Sequence, residues 1–176
     1  MLPRLGLAEW VVLAVAGERP VHGFAVAALT AADGELGRVW QIPRPVVYRA
    51  IGRLVDAGLI TAEAVETKGG PPRTLYAATP TGRGHVDAWL NTPVPHVRDL
   101  RSEFLLKLAV LHRHGRDATA LVDAQRRELA PIVAALRAEQ DRAGRAGDGG
   151  ADEFDRMLAA WRRTSAEAAL AFLDEL

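Results

Sequence analysis

The spacing of apolar positions along the chain changes character repeatedly, and each change marks a boundary between elements. Residues 7–16 are apolar nearly all round, which predicts a buried helix ended by Gly17 and Pro20. Residues 22–33, rich in Ala and Leu, predict a second helix closed by Asp33-Gly34. A third opens at Pro45, where a first helical turn needs no backbone donor, and runs to Gly58. At about 100° per residue its faces separate. Val47, Ala50, Ile51 and Leu54 fall inward, while Tyr48, Arg49, Gly52 and Arg53 fall outward or on the flank. Strand-like content occupies 59–67 and 74–78, and the Gly-Gly-Pro-Pro between them reads only as a turn. Thr79 then suits an N-cap, with Pro80 at the first position of a helix reaching about Leu90.

The two prolines of NTPVPH, residues 91–96, mark a linker, and beyond it the period is helical throughout. Leu100, Phe104, Leu108 and Leu111 share one face. A long segment over 117–143 carries Val122, Leu129, Ile132, Val133 and Leu136, and Pro131 inside it is expected to kink or split the helix. GRAGDGG, residues 144–150, is a break. In the last helix Phe154, Leu158, Trp161, Ser165, Ala168 and Phe172 alternate by four and three, a heptad-like seam. Trp161 and Phe172 could line an effector pocket, but a seam of this spacing favours the core of a dimer. The expected architecture is mostly α with a small β-hairpin. An N-terminal winged helix-turn-helix spans 1–91 and a helical dimerisation and effector domain spans 98–176.

Composition narrows the chemistry. The apolar fraction of 49% is that of a globular chain. The absence of cysteine removes disulfides, thiolate zinc sites and cysteine nucleophiles. No signal peptide is recognisable and the apolar run at 10–16 is short, so a cytoplasmic protein with no membrane partner is expected. His112 and His114 lie two apart, pointing apart on a helix, and read as solvated rather than metal-binding. No acid–base or nucleophile constellation suggests an enzyme, and nothing calls for a cofactor. Net charge is zero, but the seven cations between Arg38 and Arg83 face only three anions, so positive charge gathers around the third helix and the hairpin.

The exposed positions of the third helix before Asp56 hold arginines, a tyrosine and no acid, which suits a helix in the major groove. Arginine donates two parallel hydrogen bonds to a guanine edge, and such helices read bases from their N-terminal turns. Arg44, Val46 and Arg49 are therefore the candidates for base edges, Val46 through a thymine methyl. Tyr48, Arg53 and the hairpin's Lys68 and Arg73 are candidates for phosphates.

These residues also carry a family resemblance. His22-Gly23-Phe24, Trp40, VVYRAIGRLVDAGLI and the hairpin GGPPRTLYAATPTG together resemble the PadR-family transcriptional regulators. The resemblance covers about the first 90 residues, and the remainder is similar in style to the helical dimerisation half of the longer members. It implies a wing beside the minor groove, a homodimeric repressor on a palindromic double-stranded operator, and release by an effector. Phe24 stands where the family usually has tyrosine, Arg49 where proline is frequent, and Arg44-Pro45 where a smaller pair is usual. The competing reading is a winged-helix protein-interaction module whose basic hairpin meets an acidic partner. Arginines on the third helix argue against it.

Overall fold

The computed structural model describes residues 4–66, 72–146 and 152–176. It is mostly helical with one small antiparallel sheet. The described chain forms two compact units whose boundary is interleaved. The first runs up to Thr92 and takes in Arg101–Asp117, and the second comprises Pro93–Leu100 and Ala118–Leu176. The segment 101–117, assigned with the C-terminal half by the proline linker, thus packs with the N-terminal one.

The first unit is built around α1 (Leu7–Glu18), whose residues 9–16 are all buried, as an all-round apolar helix requires. The two-residue strand β1 (Val21–His22) leads into α2 (Gly23–Leu29). Then follow α3 (Arg44–Asp56), the hairpin strands β2 (Ile60–Glu66) and β3 (Arg73–Ala78), and α4 (Pro80–Leu90). The sheet order is β1-β3-β2, with Val21 paired to Tyr76 and Ile60 to Ala78. A register shift between Ala62 and Ala64 bends the wing strand, as a bulge does. The second helix is shorter than its sequence pattern predicts, because the chain folds tightly back after Leu29. The amides of Leu36 and Gly37 both donate to the Leu29 carbonyl at 2.9 and 3.0 Å. A Cβ on Gly37 would stand 1.6 Å from the Ala31 oxygen, so only glycine fits there.

After a 3-10 turn (Val97–Asp99) and a π-helical turn (Leu100–Phe104), α5 (Leu105–Arg113) completes the first unit. Trp89 stacks on Trp10 with centroids 5.3 Å apart, and its indole N–H donates to Glu103 at 2.8 Å. Lys107, 1% exposed, reaches the Thr92 carbonyl at 2.7 Å, the Glu103 carboxylate at 2.9 Å and the Trp89 ring at 5.2 Å. Burial pulls this ammonium below the usual lysine range, against the opposing hydrogen bond and charge of Glu103. At the other end of α5, Arg113 grips both oxygens of Glu18 at 2.7 and 2.9 Å and also bonds Glu35. The Glu18 hydrogen bond leads the causes that raise its pKa above the ordinary arginine value.

The second unit pairs α6 (Thr119–Ala146) with α7 (Glu153–Asp174). Arg126 reaches Asp174 at 3.2 Å and Arg137 reaches Glu167 at 2.7 Å, so the helices run antiparallel. The Gln125 amide is fully buried and bonds both the N–H and the carbonyl of Val94 at 2.8 Å, fastening the 93–100 segment to α6. Of the expected kink or split, the split does not occur: α6 continues through Pro131. Proline removes one backbone donor, and the cooperative remainder of a 28-residue helix carries it across.

Candidate nucleic-acid interface

The turn before α3 sets its position. Thr30 donates from its hydroxyl to the Val26 carbonyl at 3.1 Å, and its own carbonyl accepts from Ile42 at 3.1 Å. Leu36 and Ile42 are buried beneath this turn. From there α3 begins at Arg44 and buries Val47, Ala50, Ile51 and Leu54, the four positions its periodicity turned inward.

Three glycines of the sequence motifs have distinct physical tasks. A Cβ on Gly23 would meet Tyr48 Cε1 and Ile51 Cδ1, both at 2.9 Å, so glycine lets α2 and α3 approach closely. Gly58 ends α3 with φ of 66°, the left-handed region that favours glycine. At Gly82 a Cβ would lie 2.2 Å from the Leu59 carbonyl oxygen, while its N–H donates to the capping hydroxyl of Thr79 at 3.1 Å. The same hydroxyl donates to the Gly58 carbonyl at 3.0 Å, tying the start of α4 to the end of α3. His22 caps α2, its Nδ1 accepting from the Ala25 amide at 3.0 Å.

Arg44, Tyr48 and Arg49 are exposed on the outer face of α3, and Val46 is half-buried at its edge. Among the described residues neither Arg44 nor Arg49 has an acidic partner. Arg53 differs: its guanidinium pairs with Glu9 of α1 at 2.9 Å, an acid buried against the core. Arg73 at the root of the wing is exposed. Its guanidinium lies 5.4 Å from the Phe24 ring, and Arg44 lies 5.3 Å from the same ring and 5.6 Å from that of Tyr48. Arg44 and Arg73 are thus gathered around Phe24, and Arg44 also lies beside Tyr48. Lys68 lies outside the described residues. Sequence reasoning missed the Glu9–Arg53 pair and saw Phe24 only as a replacement for the family's usual tyrosine. The pair joins residues 44 apart, which no local pattern discloses.

The terminal seam has its own disposition. Helix α7 buries Ala166 and Leu173, whereas Phe154 is 62% exposed, Trp161 is 71% exposed, and Met157 and Phe172 are also open. Ala168 is exposed and Leu158 half-buried. Neither Trp161 nor Phe172 lines either of two clefts of the first unit, which are walled by residues such as Arg19, Phe24, Ala28 and Pro43. Among the described residues no helix is long and apolar enough to cross a membrane. Nor does any group of three or more His, Cys, Asp or Glu among them suit a metal ion.

Residues 12–88 match the model of the transcriptional regulator PadR-like family. No curated protein matches the chain. Among solved structures, Bacillus subtilis PadR in complex with operator DNA is 18% identical, with 97% of each chain covered and a TM-score of 0.48. The PadR-like transcriptional regulator BC1756 from Bacillus cereus is 18% identical over 96% of this chain and 94% of that one, with a TM-score of 0.41. The Vibrio cholerae virulence activator AphA is 21% identical over 96% of this chain and 90% of that one, with a TM-score of 0.42. At such TM-scores these likenesses carry no argument, and the resemblance rests on the sequence match over 12–88.

Proposed function

We propose, from the match of residues 12–88 to the PadR-like family of transcriptional regulators, that the chain is a regulator of this kind and binds double-stranded DNA sequence-specifically. In this reading it acts in the cytoplasm as a homodimeric repressor on a palindromic operator, and a small-molecule effector releases it. The observation that carries the reading is the acid-free start of α3, where Arg44, Tyr48 and Arg49 stand exposed and Arg73 joins them through Phe24. Cations without acidic partners, on a helix stabilised by its opposite face, suit a polyanion with hydrogen-bonding base edges. Arg44, Val46 and Arg49 would read bases, while Tyr48, Lys68 and Arg73 would hold phosphates. Arg53 would reach a phosphate only by leaving Glu9. A dimer follows because one recognition helix reaches few base pairs, and the open apolar seam of α7 (Phe154, Leu158, Trp161, Ala168, Phe172) is the surface that would join two copies.

Selection of duplexes from a random pool, followed by binding across a salt series, tests this. A palindromic motif should emerge, and Arg49→Ala should cost about 1–3 kcal/mol while relaxing preference at one base position. Unchanged affinity and preference in both Arg49→Ala and Arg44→Ala would remove α3 as the reading element.

A further inference from the structure

Phe24 is 47% exposed on the first turn of α2, where an apolar ring gains little from burial. Two guanidinium groups converge on it instead, Arg44 from the first turn of α3 and Arg73 from the first residue of β3. Among the described residues no other ring has two cations over it. Like charges brought to one place repel, unless a ring face or an anion compensates them. Here the ring does so before any anion is bound. The helical turn that carries the ring is itself fixed by the His22 cap and by the close approach at Gly23 that seats α2 on Tyr48 and Ile51.

We propose that Phe24 is a positioning residue of the interface, a bracket that holds Arg44 and Arg73 at a set spacing so that helix and wing engage one duplex together. This rests on the DNA-binding reading above. Phe24 has no hydroxyl to offer a phosphate, so it acts through the two arginines. Ordering these long side chains in advance removes an entropic cost that binding would otherwise incur.

Two substitutions in the full chain separate the parts. Phe24→Leu keeps apolar bulk without a ring, and Phe24→Tyr keeps the ring. In the free protein, NMR should show the side-chain CH2 signals of Arg44 and Arg73 shifted upfield by the ring, lost in Phe24→Leu and kept in Phe24→Tyr. On the palindromic duplex selected with the wild-type chain, Phe24→Leu should bind about five- to thirty-fold more weakly, the combined effect of two exposed cation–ring contacts. Phe24→Tyr should restore binding. The salt slope should not change, since no cation is lost, and Arg44→Ala should cost less in the Phe24→Leu background than alone. Wild-type affinity in Phe24→Leu, or a loss that Phe24→Tyr does not rescue, would overturn the bracket while leaving DNA binding intact. A wild-type chain that binds no duplex would overturn the DNA-binding reading and the bracket with it.

Discussion

Helices α3 and α7 each bury one face within their own unit and leave the other open, yet the open faces are opposites. That of α3 carries Arg44, Tyr48 and Arg49, and that of α7 carries Phe154, Met157 and Trp161. Neither face is buried within its own unit, so its composition suits what it would meet. An acid-free cationic face gains most from a polyanion. An apolar stripe with heptad spacing gains most from another stripe like itself.

The sharpest way to break the contrast is to charge the apolar face. Trp161→Asp removes a large apolar side chain from each of two symmetric partners, and should weaken self-association by about 3–6 kcal/mol. Sedimentation over a concentration series reads this directly. A wild-type chain monomeric at micromolar concentration would end the dimer reading. Leu158→Asp is a less clean probe, because Leu158 is half-buried and its charge would also disturb the packing of α7 on α6.

The contrast between exposed and buried cations comes next. Lys107→Met should lower thermal stability by about 1–3 kcal/mol, since it removes the hydrogen bond to the Thr92 carbonyl and the ion pair with Glu103. Arg49→Ala should leave the melting temperature unchanged and act only on DNA. A Lys107→Met chain as stable as wild type would show that the polar contacts of Lys107 add nothing to the seating of α5.

A smaller effect separates the wing from the helix. Arg73→Ala should weaken binding to all duplexes alike and lower the salt slope by about one, without altering base preference. A changed preference with an intact slope would make the wing a reader of bases. Smallest is the acid response of the second unit. The hydrogen bond from Arg137, with the charge of Arg163, holds Glu167 below the usual glutamate range. Its stabilisation is therefore complete above the unfolded pKa of about 4.3 and fades as pH falls through the lower folded value. Melting curves of wild type and Glu167→Gln should differ at pH 6 and converge in acid.

The faces of α3 were legible in the sequence because burial of four apolar side chains at helical spacing outweighs other local preferences. The Thr79 cap and the wing strands were legible for a similar reason, in that each is fixed by residues a few places apart. The two-residue strand β1 was not, since no period can appear in two residues. The placement of α5 in the first unit was hidden too, because its ties to Trp89, Thr92 and Glu18 span up to 95 residues of chain. On α7 the sequence made the aromatic seam conspicuous, while part of the face that packs on α6 is alanine, which signals no preference by itself. Phe24 carries no periodic signal at all. Its surroundings come from three separate elements.

The interleaved boundary bears on how such a protein can be recombined. A single crossover after residue 91 would not deliver the whole first unit to a new second unit. The recipient would lack Lys107 and Arg113, and Trp89 would lose the side chains that cover it. A transplant needs 101–117 from the donor as well, and therefore two further junctions, one near 100 and one near 117. With three junctions to match, the first unit is not portable as one continuous stretch of chain.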